Sequence, residues 1–213
     1  MQTYKIYIND CLLLITDDKT TAVDDCTSLF YIGNKKLLFH IIDTFEKSRH
    51  GSKCIQLTAD NFDLVINDFK SIFVHEQASG GVILNEKKEV LFIYRRGKWD
   101  LPKGKMEMSE HPLDTAVREI EEEVGLKNLD VLGQISDSWH TYKTKKGRRV
   151  LKKTRWFAFA ENHKGPIQLQ AEEDIVAYQW IDPVVFLKSG LPTYQSILDV
   201  VRSFTQLYAG TKS

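Results

Sequence analysis

The stretch Arg118-Glu-Ile-Glu-Glu-Glu-Val-Gly125 puts four carboxylates into five consecutive positions. On a helix, Glu119 stands beside Glu122 and Glu123 at spacings of three and four, while Glu121 points elsewhere. Like charges at those spacings cost a helix roughly 0.2–0.5 kcal/mol per pair. One account is a solvated acidic face, with Arg118 pairing to Glu122 one turn on. The other is a site. Carboxylates converging on one helix face offer hard oxygens of the kind Mg²⁺ or Mn²⁺ prefers, and a cation would turn their repulsion into binding energy.

The elements around the glutamates support a positioned helix. Pro112 suits a first helical position, where its missing N–H costs nothing. Asp114 in the first turn complements the helix dipole, and Gly125 suits the left-handed residue past the last turn. Leu113, Ala116, Val117, Ile120 and Val124 form an apolar stripe that can pack on a sheet. Before the helix, "GKWDLPKGKMEMSE" reads as a loop. Before that, "GVILNEKKEVLFIYRR" reads as a hairpin turning at Asn85 to Lys88, and Gly80-Gly81 punctuates the chain. Strands are expected at about 130–142 and 151–161, then at "IVAYQWI", with a last helix from about Tyr194 to Tyr208.

Upstream, residues 3 to 16 read as one or two strands, and "DDKTTAVDDCTS" as a loop. Apolar residues at Leu37, Leu38, Ile41, Ile42 and Phe45 predict a helix stopping at Gly51. "KCIQLTA" reads as a strand and "DNFDLVINDFKSIF" as a helix capped by Asp60 or Asn61. The chain thus divides into a small α/β domain over 1–75, of unassigned role, and a second domain over 76–213.

From Gly104 the sequence runs Gly, five residues, Glu110, seven residues, then the glutamate stretch through Leu126. This resembles, at every specified position, the signature box of the Nudix hydrolases. The resemblance covers about residues 76 to 207. It implies an α/β/α sandwich around a mixed sheet, divalent metal, and hydrolysis of a nucleoside diphosphate linked to another moiety or of another pyrophosphate. Carried onto this chain, Glu119, Glu122 and Glu123 would ligate the metal together with the carbonyl of Lys103. Arg118 would orient the glutamates with Glu110 as its partner, and Gly104 would make a turn. Water attack on a phosphoanhydride needs neutralised bridging and leaving oxygens and an oriented or deprotonated water. Carboxylate-held cations supply the first, and a further carboxylate serves as general base. Glu119 is one candidate for that base. Glu172, Glu173 and Asp174, on a later loop, offer another, with Glu173 preferred.

"KWDLPKGKME", "KTRWFAF" and "AYQWID" resemble the diadenosine-polyphosphate and diphosphoinositol-polyphosphate branch. By that resemblance Lys103 and Lys105 would reach phosphate oxygens, with Arg95 at the end of the preceding strand and Lys153 as further contacts. The connection 143–155 holds eight basic residues and no acidic one. It is either a solvated face or a local positive field that draws in a polyphosphate. Trp99, Trp139, Tyr142 and Trp156 could include a base-stacking surface among residues that otherwise fill the core.

The bulk composition narrows the classes. With 42% hydrophobic and 27% charged residues the chain is globular. The 29 basic and 29 acidic residues cancel, which gives no footprint of a nucleic-acid partner. No apolar run is long enough to span a membrane. The first ten residues lack a signal-peptide pattern, and Cys11, Cys26 and Cys54 have no paired spacing, so three reduced thiols in a cytoplasmic protein are expected. The expected partner is a small-molecule polyphosphate, with homodimerisation possible. Alternatives are an inositol-pyrophosphate hydrolase and a nucleotide-binding sensor without hydrolysis. Intact metal-type glutamates and the absence of a basic helix-turn-helix weigh against the sensor. The segment 1–75 has eight basic against ten acidic residues, which disfavours DNA binding there.

Overall fold

The runs Val90–Ile93 and Trp156–Phe159 have no polar face, and strands of that kind must be covered on both sides. The computed structural model describes residues 2–20, 22–48, 53–162 and 165–208. In chain order its elements are β1 (Thr3–Ile8), β2 (Cys11–Thr16), β3 (Cys26–Tyr31), α1 (Lys35–Glu46), β4 (Cys54–Ala59) and α2 (Phe62–Lys70). These are followed by β5 (Val74–Leu84), β6 (Val90–Arg95), β7 (Lys98–Asp100), β8 (Lys103–Lys105), α3 (Pro112–Val124), β9 (Asp130–Lys143) and β10 (Arg149–Ala160). A 3₁₀ turn (Ala171–Glu173), β11 (Ile175–Ile181), α4 (Pro183–Lys188) and α5 (Gln195–Tyr208) complete the chain.

Two compact units result. One is 1–76 together with 139–153, and the other is 77–138 together with 154–213. In the second unit the strand order is β11-β6-β5-β10-β9, with β7 on β6 and β8 on β5. Alternate residues of these strands feed two cores. Val82, Phe92, Trp156 and Ala158 pack with Val200, Val201 and Phe204 of α5. Ile83, Leu91, Ile93, Phe157 and Phe159 pack with Ala116, Ile120 and Val124 of α3. This is the expected α/β/α arrangement.

Gly80 and Gly81 do not punctuate the chain. Both lie inside β5, where the backbone is approached from both sides. A Cβ on Gly81 would stand 2.6 Å from Ile120 Cδ1 and 2.9 Å from the Phe159 ring, so glycine here is what lets α3 settle onto the sheet.

In the first unit, β1 pairs antiparallel with β2, β2 parallel with β4, and β4 parallel with β3, while Ile6 of β1 lies opposite Trp139 of β9. Helices α1 and α2 bury Leu38, Ile41, Ile42, Phe45, Val65, Ile66 and Phe69 against Ile6, Ile8, Leu13, Ile15 and Leu57. Asn61, one of the two expected caps, receives the Leu64 N–H at 2.9 Å. Helix α1 ends at Glu46, and the expected stop at Gly51 lies outside the described residues.

Sequence reasoning took residues 26–28 and 97–110 as loop, and so missed β3, β7 and β8 as well as α4. It also expected three free thiols. Instead Cys26 and Cys54 form a disulfide, because the β3–β4 register puts them directly opposite, with Cα atoms 4.4 Å apart. Cys11 is buried and free. The expectation of a reducing compartment therefore loses its basis in three free thiols. Among the described residues no helix is long and apolar enough to cross a membrane.

Candidate active site

Helix α3 is placed by its ends as much as by its stripe. Pro112 opens it, and the N-cap is His111, whose Nδ1 accepts the Leu113 N–H at 3.3 Å. A histidine cap lies outside the usual Ser, Thr, Asp and Asn set, so Pro112 and Asp114, not the cap, mark this end in the sequence. Gly125 closes the helix in the left-handed region at φ 73°. The inward stripe is Ala116, Ile120 and Val124, with Thr115 buried beside them. Val117, expected on that stripe, is turned toward solvent.

With the helix seated this way, the three carboxylates expected to hold a cation meet very different surroundings. The Glu123 side chain is 2% exposed, Glu119 13% and Glu122 47%. Glu123 accepts a hydrogen bond from Arg95 Nη1 at 2.9 Å and another from the Lys103 N–H at 3.1 Å. Burial nevertheless pushes its carboxyl up to about 7, against the opposing pull of Lys103 and Arg95. Glu119 lies against the β8 backbone, where a Cβ on Gly104 would fall 1.9 Å from its carboxyl group. Gly104 does not make the turn expected of it but lies inside β8, where its missing side chain admits the close approach of Glu119.

Arg118 is the hub. Its Nε and Nη2 donate to the two oxygens of Glu110, each at 2.9 Å. Nη1 donates to Glu119 at 2.8 Å and to Glu122 at 3.2 Å, and Nη2 reaches the Lys105 carbonyl at 3.0 Å. The paired guanidinium holds the Glu110 carboxyl down at about 2. The i+4 ion pair to Glu122 is therefore only one arm of a brace that ties helix, loop and β8 together.

Arg95 bridges two candidate groups. Besides Glu123, its Nη2 stands 3.6 Å from Glu173 on the 3₁₀ turn. Neighbouring Arg96 pairs with Asp174 at 3.1 Å, so the two arginines hold that turn against the end of β6. Lys103 presents its main chain to Glu123 but gives its ammonium to Asp100, a buried carboxylate that sequence reasoning did not single out. The only signal was its position between Trp99 and Leu101, a burial context rather than a charge pattern. The Lys105 side chain is exposed. Lys153 belongs to the unit that contains 1–76, where its ammonium stands 5.3 Å from the Trp139 ring.

The donor set fits a hard divalent cation in kind, with three carboxylates on one helix beside the Lys103–Gly104 main chain. Among the described residues, however, no three such groups are gathered around one point. Arg118, Arg95 and the Lys103 N–H occupy the carboxylates, so a cation would take them from these partners.

A large part of the chain is similar to known proteins. The NUDIX domain model matches residues 74–199. An RNA pyrophosphohydrolase of Halorhodospira halophila is 29% identical over 154 residues, covering 62% of this chain and 83% of that protein. The putative mutator protein MutT4 of Mycobacterium tuberculosis is 37% identical over 92 residues, 37% of this chain and 36% of the other. Among solved structures, a C. elegans Ap4A hydrolase binary complex shares the fold with a TM-score of 0.50 and 22% identity, covering 63% of this chain and 98% of that one. With more than half its length matched by the family model, and a helix, brace and glycine contact that account for the spacing of the box, the chain belongs to the Nudix family.

Proposed function

We propose that this Nudix pyrophosphohydrolase cleaves a phosphoanhydride bond in a nucleoside polyphosphate or dinucleoside polyphosphate, with Mg²⁺ or Mn²⁺. The observation that carries the reading is the Arg118 brace, which holds Glu119 and Glu122 on the outward face of α3 while Glu123 sits buried behind them. Glu119, Glu122, Glu123 and the Lys103 carbonyl would hold the cation. When bound, it supplies neutralisation at the bridging and leaving phosphate oxygens.

The chain's own residues do the rest. A carboxylate takes the proton of the attacking water as the new P–O bond forms and the bridging P–O bond breaks. Glu119 and Glu173 are the two candidates for that base, and Glu173 is held within reach of the site by Arg95. Arg95 would bind phosphate by exchanging its carboxylate partners, and Lys105 through its exposed side chain. The names of several relatives, RNA pyrophosphohydrolases, favour a second substrate reading, a pyrophosphate-bearing RNA.

Incubation with diadenosine tetraphosphate and Mg²⁺ should release mononucleotides. A parallel panel of nucleoside triphosphates, triphosphorylated RNA and inositol pyrophosphates ranks the substrates. If every member of the panel stayed intact across both metals, the hydrolase reading would fail and nucleotide sensing without hydrolysis would take its place.

A further inference from the structure

Asp100 and Lys103 carry opposite charges into the interior of the second unit. Their side chains are only 4% and 12% exposed. Replacing such a pair by apolar residues of similar volume is often neutral for stability, so stability alone does not account for it. The pair closes a knot between β7 and β8. Asp100 accepts the Leu101 N–H on one oxygen at 2.8 Å and the Lys103 ammonium on the other, and that ammonium also donates to the Leu101 carbonyl at 3.3 Å.

That knot decides what Lys103 offers to Glu123. The main chain is fixed on β5, where Lys103 lies opposite Gly80 and the Pro102 carbonyl accepts the Gly81 N–H at 3.0 Å. From there the Lys103 N–H reaches Oε2 of the buried Glu123 at 3.1 Å, while the ammonium of the same residue goes to Asp100. The charges of both residues are felt at Glu123: Lys103 favours its anion and Asp100 opposes it. Without the Asp100 charge, a buried ammonium is left uncompensated and needs another carboxylate. Arg95 already holds Oε1 of Glu123 at 2.9 Å. With the ammonium on Oε2 in place of the N–H, a divalent cation would have to displace two charged partners rather than one.

We propose that Asp100 is a positioning residue that sequesters the Lys103 ammonium, so that Lys103 gives Glu123 a neutral N–H and leaves its anionic oxygens to a divalent cation. This role rests on the reading of α3 as a cation-binding hydrolytic site. It also gives the Lys103 side chain a different task from the phosphate contact that the family resemblance implies. An ammonium held between a buried carboxylate and a main-chain carbonyl serves the geometry of the site rather than the substrate.

Mn²⁺ binding to the full chain, followed by electron paramagnetic resonance, reads the site without hydrolysis, and Glu123→Gln marks the bound ion as the one at α3 by weakening it. Asp100→Asn keeps the shape and an oxygen acceptor for the Leu101 N–H but frees the ammonium. It should weaken Mn²⁺ about tenfold, and adding Lys103→Met should restore affinity to within about threefold of the parent, a coupling that a double-mutant cycle isolates. The double variant leaves neither charge of the pair unpaired, so it also covers the case in which Asp100→Asn does not fold. Its KM for diadenosine tetraphosphate should stay within about threefold of the parent, whereas an ammonium that contacts phosphate predicts a rise of about tenfold or more. Such a rise would overturn the inference. So would Asp100→Asn binding Mn²⁺ as the parent does, or a double variant as weak as Asp100→Asn, and either result would leave the hydrolase reading intact. No Mn²⁺ binding by the parent, or binding indifferent to Glu123→Gln, would remove both.

Discussion

At the residue scale, Arg118 rather than any single glutamate organises the site. Five hydrogen bonds from one guanidinium fix Glu110, Glu119, Glu122 and the Lys105 carbonyl. Glu122→Gln and Glu123→Gln should each lower kcat by orders of magnitude with little loss of fold, because the amide keeps the shape but not the anionic oxygen. Normal turnover in both would remove them as cation ligands. The Glu110–Arg118 pair adds a pH dependence. Its folded carboxyl lies near 2, below the ordinary 4.5, so the pair stabilises the protein above about pH 4.5 and loses that contribution as pH falls toward 2. Arg118→Gln should therefore lower thermal stability near pH 7, by about 1 kcal/mol once solvent screening is allowed for. The gap to the parent protein should narrow below pH 4. A gap that stayed constant from pH 7 to pH 3 would mean that Glu110 owes nothing to this partner.

At the element scale, α3 meets the strands at two glycines with different jobs. Gly81 receives Ile120 and the Phe159 ring, two buried side chains with no room to move. Gly81→Ala should destabilise the fold by about 1–3 kcal/mol, the usual cost of overpacking, in chemical denaturation. At Gly104 the three atoms nearest a Cβ all belong to the carboxyl end of Glu119, which can swing aside. Gly104→Ala should leave stability within about 1 kcal/mol of the parent, a typical surface-level effect, yet depress kcat strongly. Equal stability losses in the two variants would contradict this division. The helix and its box were legible because period 3.6, Pro112 and Gly125 are local signals. The turning of Val117 to solvent and the burial of Thr115 were not, since both depend on where the sheet meets the helix. The Asp100–Lys103 pair escaped notice for the same reason: a charged residue is called buried only once its cover is known.

At the scale of the whole molecule, what the sequence hides is contact between distant segments. Nothing local says that Cys26 will lie opposite Cys54, or that a basic hairpin from the middle of the chain will join residues 1–76. Yet Leu151 is part of the core formed by α1 and α2, Trp139 packs against it, and β1 pairs with 139–141. A fragment beginning at Gln77 would therefore carry two strand ends stripped of their partners, exposing Leu151 and the Trp139 ring. Such a fragment should aggregate or bind a hydrophobic dye strongly. Removing 139–153 as well, and joining Ser138 to Thr154 through an Asn-Gly turn suited to a two-residue hairpin, removes that surface. The shortened fragment keeps β5–β8, α3, the 3₁₀ turn and both cores of the second unit. It should be monodisperse by light scattering and retain hydrolysis of diadenosine tetraphosphate. If shortening the hairpin gave no gain in solubility over the fragment that retains it, the hairpin would not depend on residues 1–76 for its cover.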